Sequence, residues 1–137
     1  MTSTVPIPIP NPDNAGFWEA CRRGELRLQR CTACGAWRHH PRPMCPQCGS
    51  CDHEWAKASG RGVVYTFTIV HRPTLPAFDD VVPYNVVAVR LDEGVFMISN
   101  LVDCPNEQIR IGLPVEVVFD RLTDEVTLVK FRPRKMA

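Results

Sequence analysis

The sequence predicts a mainly β protein: a short N-terminal helix, a metal-clasped ribbon and a small barrel of five strands. Three observations carry that prediction. Two Cys-x-x-Cys-Gly turns, Cys31-Thr32-Ala33-Cys34-Gly35 and Cys45-Pro46-Gln47-Cys48-Gly49, stand ten residues apart. Beyond Ser59-Gly60-Arg61-Gly62 the chain becomes a run of valine-rich segments separated by turn residues. Ahead of the first cysteine turn lies a short run with helix start and stop signals.

Composition narrows the function. A chain of 137 residues suits one domain or two very small ones. The formal charge of +1 supplies no bulk attraction for nucleic acid or an acidic partner. No apolar run approaches the roughly 18 residues of a membrane span. The N-terminus lacks the charged, apolar and small-residue order of a signal peptide, so a reducing, cytoplasmic setting is expected.

Residues 1–12 place prolines at positions 6, 8, 10 and 12, which favours an extended arm. Residues 13–58 form the helix-plus-ribbon unit. Asp13 or Asn14 can cap a helix through Phe17, Trp18, Ala20 and Cys21; Arg22 and Arg23 suit its C-terminal end and Gly24 stops it. Phe17 and Cys21 share one face, so Cys21 reads as a small buried apolar residue. Leu26 and Leu28 alternate in Glu25–Arg30, which reads as a strand entering the first turn.

Cys31, Cys34, Cys45 and Cys48 match the four-thiolate zinc pattern, two ligands from each turn, with Gly35 and Gly49 supplying positive φ. Cys51 is the alternative partner of Cys48; Cys45 is preferred because Gly49 then repeats the place of Gly35. A disulfide cluster is the other reading, disfavoured in a reducing compartment. Four thiolates leave no open position, so the zinc is expected to be structural, one per chain. A ribbon of about 45 residues cannot bury enough surface alone, and metal binding makes up the difference. Between the turns, His39 and His40 read as packing or surface residues, and Arg38 and Arg42 as candidates for phosphate contact. Trp55 closes the ribbon.

Residues 59–137 form the barrel with a basic tail (Lys130, Arg132, Arg134, Lys135). Val63 to Arg72 is the first strand. Tyr84 to Leu91 and Val95 to Val102 pair through Asp92-Glu93-Gly94, and Val115 to Phe119 pairs with Val126 to Phe131 around Thr123 and Asp124. Five strands with a long Pro73–Pro83 loop suggest a closed OB-fold barrel. Valines fall on both faces of Tyr84–Val89, and Val95–Ile98 repeats this, so an outer surface is expected to meet a partner protein.

Little points to catalysis by this chain. No Gly-x-Ser-x-Gly or phosphate loop is present. Cys104 lacks a neighbouring base in sequence, and Asp79 and Asp80 read as solvent-exposed. Single-stranded nucleic-acid binding, the rival class, wants cations interleaved with aromatic platforms, and the middle strands offer mainly valine.

At this point the residues resemble a family: the acyl-CoA-associated zinc-ribbon/OB-fold proteins, long catalogued as a domain of unknown function. The likeness rests on Phe17-Trp18, the two Cys-x-x-Cys-Gly turns, Pro41-Arg42, Ser59-Gly60-Arg61-Gly62 through His71-Arg72, Pro83-Tyr84, Ser99–Val102 and Ile111–Val117. It covers about Phe17 to Phe131. The resemblance implies a rubredoxin-like ribbon and an accessory role beside thiolase-superfamily enzymes, including retro-aldolases of steroid side-chain degradation. Some relatives serve hot-dog-fold enoyl-CoA hydratases instead. It also implies acyl-CoA as ligand. Arg42, Arg61, His71 and Arg72 are the expected CoA-binding residues, converging where ribbon meets barrel.

Overall fold

The computed structural model describes residues 6–73 and 75–134. The first five residues of the expected arm and Lys135 of the basic tail lie outside them. Helix α1 spans Ala15–Arg22 and buries Phe17, Ala20 and Cys21 on one face, as the four-residue spacing predicts. Its entry differs from expectation. Asn14 occupies the cap position but makes no side-chain bond to the helix. Its Oδ1 instead accepts the Asn11 N–H at 2.7 Å, while Asn11 Oδ1 accepts those of Asp13 and Asn14. The preceding turn, and not a capping side chain, therefore sets the helix start.

Three strands make the ribbon sheet: β1 (Arg27–Cys31), β2 (Trp37–Arg38) and β3 (His53–Lys57), in the antiparallel order β2-β1-β3. The larger sheet holds β4 (Arg61–Val70), β5 (Tyr84–Leu91), β6 (Phe96–Ser99), β7 (Pro114–Arg121) and β8 (Thr127–Pro133). Its order is β6-β5-β4-β7-β8, with every neighbour antiparallel. Strand β4 is long enough to serve two neighbours: it pairs with β5 along its length and with β7 only at Arg61–Val63. A bulge at Tyr65 bends it between them. Where β4 crosses β5, a Cβ on Gly62 would run into the Arg90 carbonyl and the Val89 side chain, so that close approach needs glycine.

The predicted five strands are present, but closure is less complete than the expected barrel. The sheet curls into a half-barrel whose edges meet through one parallel bridge, Leu101 to Phe131. Val102 N–H donates to Phe131 O and Phe131 N–H to Asn100 O. The third barrel strand stops at Ser99, short of the expected Val102, because the chain there leaves β5 to reach β8. The buried Asn85 amide covers the gap: its Nδ2 donates to Leu101 O at 2.8 Å and its Oδ1 accepts the Leu101 N–H at 2.6 Å.

Phe17, Cys21, Leu26 and Leu28 join Val64, Val87, Val89, Leu91, Val115 and Phe131 in one buried cluster, so helix, ribbon and half-barrel share a core. The outer face of β4–β6 is different. Ala88 pairs with Ile98 and Arg90 with Phe96 on that side. Phe96 is 46% and Ile98 68% exposed, and Tyr65, 53% exposed, packs edge-on against Phe96 at 4.9 Å. Among the described residues, no helix is long and apolar enough to cross a membrane.

Candidate metal centre and the surfaces around it

Each cysteine turn folds by the same local rule. Gly35 N–H returns to Cys31 O at 2.8 Å and Gly49 N–H to Cys45 O at 2.9 Å, with the two glycines at φ of 80° and 79°. A side chain there would be strained, which is why both turns carry glycine. The first turn follows β1 and the second follows the loop after β2. They bring Cys31, Cys34, Cys45 and Cys48 together with all four Sγ atoms within 4.8 Å of one another. Cys31 Sγ lies 3.6 Å from Cys48 Sγ, and Cys34 Sγ lies 3.7 Å from Cys45 Sγ. Those spacings far exceed a disulfide bond. They approach the ~3.8 Å between corners of a tetrahedron with zinc–sulfur bonds of about 2.3 Å. Cys51 is exposed and stands outside the cluster.

The electrostatics favour a cation. The backbone N–H of Cys34, then that of Ala33, points at Cys31 Sγ and pulls its thiol down to about 6. The N–H groups of Cys48 and Gln47 do the same for Cys45. Cys48 receives a similar bond from Ser50 N–H, yet the facing Cys31 sulfur pushes it up to about 12. Without a metal, neighbouring sulfurs resist ionising together; a dication at their centre relieves that repulsion and accepts four thiolates. Buried Cys21 behaves otherwise: burial pushes it up to about 12, as suits the apolar packing role expected for it.

A polar clasp beneath the turns was not foreseen. Gln29 is buried in β1, and its Oε1 accepts Arg38 Nε and the Arg42 N–H, both at 2.7 Å. The Arg38 guanidinium also donates to Arg42 O, at 2.9 Å from Nη2. Arg38 is 5% exposed, so it is a brace between the two cysteine turns and not the surface phosphate contact expected of it. His39 packs against Phe17 at 5.6 Å and stacks on His40 at 4.4 Å, a packing role as read. Trp55 packs over Gly16 of α1, with no room there for a Cβ.

The four cations expected to meet CoA are all exposed. Arg61 begins β4, and His71 and Arg72 follow its end. Arg42 belongs to the ribbon clasp, through its backbone. Two cations of the basic tail are paired: Lys130 with Asp120 and Arg132 with Glu116, both at 2.8 Å. Cys104 is held above its ordinary value by partial burial and donates only to Pro105 O. Asp79 and Asp80 are exposed.

Comparison with known proteins agrees with this architecture. Residues 18–54 match the family description "ChsH2, rubredoxin-like zinc ribbon domain" and residues 55–120 match "ChsH2, C-terminal OB-fold domain". A chain of the solved "Ltp2-ChsH2(DUF35) aldolase" is similar with a TM-score of 0.84 and 42% identity, over 93% of this chain and 98% of that one. A "probable enoyl-CoA hydratase alpha subunit" of Thermomonospora curvata is 43% identical over 93% of this chain. A "DUF35 domain-containing scaffold protein" of Methanocaldococcus jannaschii is 36% identical, over 70% of this chain and 68% of its own length. The chain spans only 40% of the Thermomonospora protein.

Proposed function

The chain belongs to the DUF35 family of zinc-ribbon and OB-fold proteins, and from that premise we propose that it is an accessory subunit of an acyl-CoA enzyme. Its partner is a thiolase-like aldolase that performs the retro-aldol cleavage; this chain contributes structure and no catalytic group. Cys31, Cys34, Cys45 and Cys48 hold one zinc ion, which joins two turns of a ribbon too small to stand on its own core. The setting is a reducing cytoplasm, which keeps those thiols available.

The observation that carries the reading is the bare outer face of β4–β6. Tyr65, Phe96 and Ile98 stand together in water on a folded domain whose core is already filled. Such a cluster, aromatic at its centre, suits a protein interface. The likeness to a chain of the aldolase complex supports an aldolase as the enzyme that covers it. Any help in holding the CoA moiety falls to the exposed Arg42, Arg61, His71 and Arg72.

A second reading keeps the docking role and changes the mate to a hot-dog-fold hydratase. The Thermomonospora relative supports it by name. So does a "3-oxo-4,17-pregnadiene-20-carboxyl-CoA hydratase alpha subunit" of Mycobacterium tuberculosis, 36% identical over 82% of this chain. Co-expression with an Ltp2-type aldolase subunit, followed by gel filtration and a retro-aldol assay on a β-hydroxyacyl-CoA, tests the first reading. Co-elution is expected, with cleavage by the complex and none by this chain alone. Hydration of an enoyl-CoA only in the presence of a hydratase subunit transfers the role to the second mate. Turnover by the isolated chain refutes both.

A further inference from the structure

A cleft of about 300 Å³ opens between α1, the His39–His40 loop and the seam where β6 approaches β8. Phe17 and Trp18 line one side, edge-to-face at 5.0 Å, and the stacked His39–His40 pair continues that wall. Ile98, Leu128 and Lys130 line the other. Ile98 belongs at once to the cleft and to the exposed Tyr65–Phe96–Ile98 face, so the cleft opens off the edge of the docking surface. At the low end of ligand-site volumes, it suits one large side chain better than a nucleotide-bearing cofactor.

We propose that this cleft is the anchor pocket for a single tyrosine or tryptophan side chain of the partner enzyme, an inference that rests on the docking role above. The side chains that dominate interfaces are tryptophan, tyrosine and arginine, seated in pockets ringed by weaker contacts. The lining distinguishes among them. Among the described residues no carboxylate lines the cleft, and Asp120 beside it is already paired with Lys130 at 2.8 Å, so a guanidinium would enter without a free counter-charge. Burial, and then the charge of His40, hold His39 down at about 4, so its ring is neutral at physiological pH. An aromatic guest can pack on it and on the Phe17–Trp18 pair without displacing a charge. On the cleft wall Ser99 Oγ donates to Val129 O and Asn100 Nδ2 to Asn85 O, which leaves their side-chain oxygens to accept from a phenol or indole tip.

The test uses the full chain and the Ltp2-type subunit as probe, with affinity measured by titration calorimetry. Leu128→Trp fills the cleft from its half-buried wall and is expected to weaken binding at least tenfold, with zinc content and melting temperature unchanged. Trp18→Ala removes the opposite wall and is expected to weaken it similarly. Ile111→Ser, an exposed apolar site outside the cleft, is expected to bind as wild type. Each exposed Tyr and Trp of the probe is then changed singly to Ala. One of them must lose affinity on its own and lose almost nothing further when combined with Leu128→Trp. If Ile98→Glu weakens the complex but Leu128→Trp does not, or if no Tyr or Trp couples to Leu128, the anchor is refuted while the docking role stands. If the wild-type chain binds neither this probe nor a hydratase subunit, both fall.

Discussion

Replacing Gln29 with leucine removes an oxygen that takes two donors, together with the Nε2 that faces His53 Nε2 at 3.3 Å. Gln29 Oε1 holds Arg38 Nε and the Arg42 N–H, each at 2.7 Å, and Gln29 is 1% exposed. A bond from a charged donor is worth about 1.5–3 kcal/mol and a neutral one about 1. The guanidinium remains buried and keeps only its bonds to Arg42 O. Together these give a loss on the order of 3–4 kcal/mol, a large share of the roughly 5–15 that holds a domain folded. In a chain of this size that corresponds to a melting temperature lower by roughly 10–15 °C. The assay is thermal unfolding by circular dichroism at fixed zinc, since free metal shifts the apparent stability. Two companions sharpen it. Gln29→Leu with Arg38→Met removes the buried charge along with its acceptor and is expected to recover about half the loss. Gln29→Glu keeps both acceptor bonds and adds a counter-charge, so it is expected to melt no lower than wild type. A Gln29→Leu protein melting within about 2 °C of wild type would sink the clasp argument, as would a double variant no better than the single.

Three further outcomes follow from the same geometry. Cys31→Ser is expected to lose the metal and unfold the ribbon, with atomic absorption falling from one zinc per chain to none, whereas Cys51→Ser retains it; equal zinc in the two variants would reject the ligand assignment. His39 is held at about 4 against an ordinary 6.5, by burial first and His40 second, so the unfolded chain takes up a proton at higher pH than the folded one. Its contribution is therefore intact above about 6.5 and drains away as pH falls to about 4, by roughly 3 kcal/mol at most. Denaturation curves across that range should show the decline in wild type and a smaller one in His39→Phe. Gly62→Ala forces a methyl group into the Arg90 carbonyl and should cost several kcal/mol by urea unfolding, a core overpacking effect; a loss under about 0.5 would contradict the tight β4–β5 crossing.

What could be read from residues alone was whatever a few neighbours along the chain decide. Two Cys-x-x-Cys-Gly turns announce a four-sulfur cluster because each turn builds its half of the site within five residues. Asp92-Glu93-Gly94 announces a hairpin for the same reason, and the spacing of Phe17 and Cys21 announces a buried helix face. Tertiary structure decided everything that depends on distant segments. Arg38 looks like any exposed cation until Gln29 and Arg42 are folded around it. Valines on both faces of a strand hint at a covered surface, but only the curl of the sheet shows that Tyr65, Phe96 and Ile98 are the ones left bare. Asn85 and Leu101 lie 16 residues apart and show no pattern, since a barrel seam is closed by chain geometry and not by local preference. Local spacing writes turns, helices and metal corners into a sequence; burial and charge pairing are properties of the packed whole.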